Sequence, residues 1–156
     1  MGEAQSGHIK HIGYSLYLRM LEDAIKELSG QDKEVAQNID MKLSINAYLN
    51  EELIVEDRLR LEIYRRLSQC ETTGEVYEIE TEIADRFGKL DFITRAFIDT
   101  MVIKVLARAK GVSLVSSYGE NVTIEFVDNV KDRLILKARS KDDDDIIDCV
   151  MGWFRG

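Results

Sequence analysis

The chain has 156 residues, of which 45% are hydrophobic and 32% charged. That is the size of one domain with a buried core, and it is too apolar for a chain disordered over most of its length. With 29 acidic residues against 21 Lys and Arg, the formal net charge is -8. This argues against a domain whose main work is gripping phosphate backbones, because such affinity comes from cations that release counterions. No apolar run reaches the roughly 20 residues of a membrane span, and the opening residues lack a basic-then-apolar leader. Cys70 and Cys149 stand far apart inside apolar helical patterns. They read as reduced thiols of a cytoplasmic protein rather than as a disulfide scaffold or a zinc module. Proline is absent, where an average composition would hold roughly eight. Turns must therefore come from Gly, Asn, Asp and Ser.

Residues Met1 to Gly13 are polar, Gly-punctuated and aperiodic, and read as an extended lead-in. Tyr14, Tyr17, Leu18, Leu21, Ala24, Ile25 and Leu28 then recur at three and four, the stripe of an amphipathic helix that Gly30 stops. Gln31 to Asp40 is a polar loop. Met41 to Tyr48 alternates apolar and polar residues and predicts a strand with one wet face. Leu59, Ile63 and Leu67 mark a helix over Glu56 to Cys70, with acids in its first turn where the helix dipole favours them. Val76, Ile79, Ile83 and Phe87 mark another over Gly74 to Phe87, acidic on its opposite face. From Asp91 to Lys110 the apolar residues wrap nearly the whole circumference, which predicts a central helix packed on several neighbours.

Beyond Gly111 the period changes to two. Val112 to Ser117, Val122 to Val127 and Arg133 to Ala138 are strands joined by turns at Tyr118-Gly119-Glu120-Asn121 and Asp128-Asn129. A last helix follows from Asp142. Helices grouped apart from strands predict an α+β fold, with helices packed on a small antiparallel sheet that contains a C-terminal three-strand meander.

Sites for chemistry are few. His8 and His11 have a metal-compatible spacing but no ligands nearby to complete a shell, and read as part of the polar lead-in. The run Asp142 to Asp145 lacks the alternating ligands, central Gly and terminal Glu of a calcium loop, and reads as the capped start of a helix. Gly88-Lys89 is not a phosphate-binding loop, and with both histidines in the lead-in a catalytic triad has no base. The candidate site is the cluster Arg58, Arg60, Arg65 and Arg66, interleaved with Tyr64. It suits an acidic partner or a phosphate, but the favoured reading is ion pairing with the acidic helix that follows.

Three ordered stretches carry a resemblance. They are GEAQSGHI with GYSLYLRML (Gly2 to Leu21), AYLNEELIVEDRLRLEIYRRL (Ala47 to Leu67) and EIADRFG (Glu82 to Gly88). Together they resemble the end of the motor and the C-terminal domain of the bacterial transcription-repair coupling factors (Mfd/TRCF). The family usually has proline where Asn50 stands and near Asp91.

The resemblance implies a piece of a longer protein, with residues 1–13 a lead-in from the preceding translocase module and 14–156 a single regulatory domain. The parent would be an ATP-driven, magnesium-dependent DNA translocase that displaces stalled RNA polymerase and recruits UvrA. The fragment itself would be non-catalytic and without cofactor or metal. It would contact the N-terminal UvrB-like module of its own chain, masking the UvrA-binding surface and restraining the motor, with no membrane contact. The alternative is an accessory DNA-contacting domain using Arg58, Arg60, Arg65 and Arg66, with Arg95 beside them. Tight, salt-sensitive duplex binding by the isolated domain would mark that alternative. Direct DNA contact by the acidic fragment is not the expectation.

Overall fold

The computed structural model describes residues 39–128 and 132–156. The lead-in, the helix expected over Tyr14 to Leu28, both histidines and most of the loop before Asp40 lie outside the described residues. The elements, in chain order, are β1 (Asp40–Lys42), α1 (Asp57–Ser68), α2 (Thr73–Phe87), α3 (Phe92–Ala109), β2 (Val112–Tyr118), β3 (Asn121–Phe126), β4 (Leu134–Lys137) and α4 (Asp143–Arg155). The fold is α+β, as the grouping of periods predicts.

The helices start and stop for local reasons. Thr72 and Glu75 form a reciprocal capping box at α2: the Glu75 N–H donates to Thr72 Oγ1 at 3.1 Å, and the Thr72 N–H donates to Glu75 Oε1 at 3.2 Å. The Asp91 carboxylate caps α3 by accepting from the N–H groups of Ile93 and Thr94. Past the end of α3, Gly111 takes φ +70°, a left-handed conformation that a residue without Cβ reaches at no steric cost and that turns the chain directly into β2.

α3 is the spine. Ten of its 18 residues are buried, and they serve two hydrophobic cores. On one side Phe97, Ile98, Met101, Val102 and Val105 pack with Ile63, Tyr64 and Leu67 of α1, with Val76, Ile79 and Ile83 of α2, and with Leu49 and Ile54 of the preceding loop. On the other side Ile103 and Ala107 pack with Val115, Val122 and Ile124 of the sheet and with Ile146, Val150 and Phe154 of α4. Each fully buried aliphatic side chain contributes about 1.5–3 kcal/mol relative to exposure, so the two faces of α3 join a helical layer to a sheet layer.

The sheet has the order β1-β2-β3-β4. β2, β3 and β4 form the expected antiparallel meander, with Tyr118 opposite Asn121 and Val122 opposite Leu136. The hairpin turn between β2 and β3 is Gly119-Glu120, with Gly119 at φ +59°. Two features differ from expectation. β1 runs parallel to β2, pairing Asp40 with Leu114 and Lys42 with Ser116, so the sheet is mixed rather than antiparallel. The strand expected over Met41 to Tyr48 also ends at Lys42. Burial still alternates through Leu43 and Ile45, but from Ser44 the contact with β2 passes through side chains. The Ser44 N–H donates to Ser117 Oγ at 2.8 Å and its hydroxyl to the Ser117 carbonyl at 3.2 Å.

Candidate functional site

The arginine helix α1 lies between the loop at residues 43–56 and the acidic helix α2. Its four arginines do not form one patch. With 100° of rotation per residue, Arg58 and Arg65 fall within about 20° of each other, and Arg60 and Arg66 turn away from them.

Arg66 faces α2 and grips Glu82 with both terminal guanidinium nitrogens, at 2.7 and 2.8 Å. Arg86, one turn further along α2, donates to the same carboxylate at 2.9 Å. This bidentate, charge-assisted contact is the strong form of an ion pair. It is the pairing with the acidic helix that the sequence offered as the structural reading of these arginines. Arg60 folds back on the chain that leads into α1, donating to the carbonyls of Ile54 at 2.9 Å and Val55 at 3.3 Å and to the carboxylate of Asp57. It holds the entry to a helix whose N-cap, Glu56, makes no side-chain cap bond. Arg58 is 86% exposed and among the described residues pairs only with Glu56, at 3.9 Å. Arg65 is exposed, with no ion pair to a described residue. Arg95, on α3, meets Glu80 of α2 at 3.3 Å. The arginines of α1 left outward are thus Arg58 and Arg65.

The carboxylates of these seams titrate in opposite senses. Hydrogen bonds from Arg66 and Arg86 hold Glu82 down from 4.5 to about 2. On α3, burial and then the charge of Glu80 push Asp99 up from 3.8 to about 6, with Arg95 and Arg155 opposing and Asp148 adding. A carboxyl with a lowered folded value contributes stability that is complete above its unfolded value and is lost as pH falls through the folded one. A raised one binds more protons folded than unfolded, so stability falls as pH rises through the window between the two values. Urea titrations across pH will therefore show Glu82→Gln flattening the acid limb between pH 4.5 and about 2. Asp99→Asn will remove a decline between 3.8 and about 6 and gain stability at pH 7. Parallel curves for wild type and both variants would contradict this assignment.

The aspartate run opens α4, with Asp143, Asp144 and Asp145 in the first turn as the dipole favours. The capping differs from expectation, because Asp142 makes no side-chain cap bond. Instead Asp143 accepts from the Asn46 N–H at 3.0 Å and Asp145 from the Ser140 hydroxyl at 2.7 Å. The run thus ties the loop after β1 to α4.

One polar cluster has no forerunner in the sequence reading. The Asn50 side-chain amide donates to Asp91 at 3.2 Å, the Asn50 N–H donates to Thr94 Oγ1 at 3.1 Å, and the Thr94 hydroxyl donates to Asp91 at 2.6 Å. Thr94 is fully buried. The only sequence signal was indirect: these are the two places where proline was expected and is missing. Burial pushes the Asp91 carboxyl up, but hydrogen bonds from Thr94 and Asn50 outweigh it and hold the group below its ordinary value.

The described residues thus define an α+β module whose polar contacts are ion-pair seams, caps and one buried network. The chain belongs to the transcription-repair coupling factor family, since residues 43–135 match the TRCF domain. It is 48% identical over 155 residues to the transcription-repair-coupling factor of Helicobacter pylori, a match covering 99% of this chain and 15% of that protein. The corresponding factor of Staphylococcus epidermidis is 33% identical over 126 residues, covering 80% of this chain and 11% of that protein. The chain therefore spans a small part of the curated relatives it matches. Its fold is similar to that in the crystal structure of a C-terminal domain of transcription-repair coupling factor, at TM-score 0.53 and 24% identity over 60% of this chain and 59% of the other. Among the described residues no helix is long and apolar enough to cross a membrane.

Proposed function

We propose that this domain is the regulatory brake of its parent factor. It binds the UvrB-like module of its own chain, covers the UvrA-binding surface and holds the motor in a restrained conformation until RNA polymerase is engaged. ATP and magnesium belong to the motor, from which residues 1–13 are the lead-in, and the work is done in the cytoplasm. The observation that supports this reading most is the family match along 99% of the chain. The surface chemistry agrees with it. A contact that must form and release is modest, polar and sensitive to salt, and α1 presents the exposed Arg58 and Arg65 beside acidic side chains. In the alternative, DNA-contacting reading, the same two arginines carry the contact, because Arg60 and Arg66 are engaged within the fold.

A brake works by favouring the closed state over the open one by a few kcal/mol, and each 1.4 kcal/mol is a factor of ten. Removing residues 14–156 from the full-length parent is accordingly expected to raise both UvrA capture and ATPase rate about ten-fold or more. If both quantities stay where they were, the brake reading is wrong.

A further inference from the structure

The outer edge of β4 is an unpaired strand with a charge opposite to that of the protein as a whole. β4 is the last strand of the sheet, and among the described residues no strand pairs with its outer side. The direction of its backbone groups follows from the register. The Ala138 N–H donates to the Glu120 carbonyl at 2.8 Å, so the pair 120/138 is of the hydrogen-bonded type. By the alternation of an antiparallel ladder, so are Val122 with Leu136 and Ile124 with Leu134. The intervening residues, Ile135 and Lys137, therefore aim their N–H and C=O groups away from β3, where no described strand pairs with them.

Their side chains lie on the outer face of the sheet. Ile135 is 62% exposed. It is flanked by Arg133, 58% exposed and 3.8 Å from Glu125, and by Lys137, 71% exposed and 3.5 Å from Glu120. At those distances and exposures the pairs hold little of either cation. From Asp132 to Lys141 the chain carries Arg133, Lys137, Arg139 and Lys141 against the single carboxylate of Asp132, in a protein of net charge -8. On the inner face Leu134 and Leu136 are only partly buried against the sheet core.

We propose that this edge accepts an extended acidic segment of a partner protein as a fifth strand. Strand addition gains main-chain hydrogen bonds from the edge and selectivity from alternate side chains. The alternation here specifies an acid, then two residues on an apolar side chain, then two further on another acid. These three lie beside Arg133, Ile135 and Lys137, and the residues between them extend the cover over Leu134 and Leu136. A second copy of β4 is a poor occupant, since it would set Arg133 and Lys137 against their own like charges, the device by which edge strands avoid pairing with themselves. The inference is independent of the brake reading, which names no strand pairing.

The test uses this chain and a fluorescein-labelled, end-blocked peptide centred on Glu-Thr-Val-Thr-Glu, with a Lys-for-Glu version as control. Anisotropy should show saturable binding of the acidic peptide, at least about ten-fold tighter than the basic one and weakening with salt. Ile135→Pro leaves the β3–β4 ladder bonds in place and removes the outward-facing N–H together with the Ile135 side chain that the occupant would cover, at a position where edge strands tolerate proline. It should abolish binding with the thermal midpoint unchanged. Should that variant not fold, the double variant Arg133→Glu/Lys137→Glu decides, because it should reverse the preference between the two peptides. Absence of saturable binding, equal binding of both peptides, or full binding by folded Ile135→Pro would overturn the proposal. A dimer in sedimentation that Ile135→Pro dissolves would also overturn it, by assigning the edge to a second copy.

Discussion

Asp91→Ala will destabilise the domain by about 3 kcal/mol, lowering the thermal midpoint by about 10 °C, whereas Asp142→Ala will change stability by no more than about 0.5 kcal/mol. Both residues are the N-cap aspartate of a long helix, and residue type alone does not tell them apart. The structure separates them. The Asp91 carboxylate accepts from two backbone N–H groups of α3, from the buried Thr94 hydroxyl and from the Asn50 amide. Truncating it removes a cap worth about 1 kcal/mol and leaves buried donors unmatched, each costing about 1–3 kcal/mol less whatever water can recover. Asp142 makes no side-chain cap bond and sits in a run of like charges, so its loss relieves repulsion as much as it weakens the dipole interaction. Asn50→Pro, which installs the proline that the resemblance leads one to expect there, should also destabilise. It removes the N–H that Thr94 accepts and the amide that Asp91 accepts. In a double-mutant cycle with Asp91→Ala the two losses should fall short of additive by about 1 kcal/mol or more. Urea unfolding monitored by circular dichroism measures the four variants against the wild type. Equal stabilities for Asp91→Ala and Asp142→Ala would remove the network from the account of what holds the loop to α3.

The α-helical half of this architecture is legible because its signals are local. The stripe Val76, Ile79, Ile83, the acids in the first turns, and the all-round apolar surface of α3 place α1, α2 and α3 within two residues of their observed ends and the start of α4 within one. The meander is legible for the same reason, through its period of two and the Gly119 turn. Contacts between distant segments are less so. Alternation through Met41, Leu43 and Ile45 reports which side chains turn inward, but not that the backbone ladder stops at Lys42, nor that β1 runs parallel to a strand beyond three helices. The arginines of α1 are visible as a cluster. That Arg66 takes Glu82 and Arg60 takes the carbonyls of Ile54 and Val55, leaving Arg58 and Arg65 outward, depends on how α1 is set against α2 and the loop before it. The Asn50–Asp91–Thr94 network joins residues 41 and 44 positions apart, and no local pattern encodes it.

The second large effect is expected at Tyr64, where α1, α3 and the loop before α1 meet. The side chain is 1% exposed. Its ring stands edge-on to Phe97, with centroids 5.3 Å apart at 87°, and its oxygen accepts from the Leu49 N–H at 3.1 Å in a buried hydrogen bond. Tyr64→Ala will cost about 4 kcal/mol, from lost transfer energy, an unfilled cavity and the loss of an aromatic pair worth about 1 kcal/mol. Tyr64→Phe retains the ring and the pair but leaves the Leu49 N–H without this acceptor, and should cost about 1–2 kcal/mol. The two variants also differ in kind. Tyr64→Phe withdraws the acceptor of the Leu49 N–H, so hydrogen exchange should speed up at the Leu49 amide while the α3 amides keep their relative protection. In Tyr64→Ala protection should fall across α1 and α3 together, since both pack on the missing ring. Because α1 also carries the exposed Arg58 and Arg65, loosening it would disturb the surface proposed for partner contact without changing a residue of it. A cost for Tyr64→Ala no greater than that for Tyr64→Phe would place the weight of this site on the hydroxyl alone, and the packing account of the α1–α3 seam would fail.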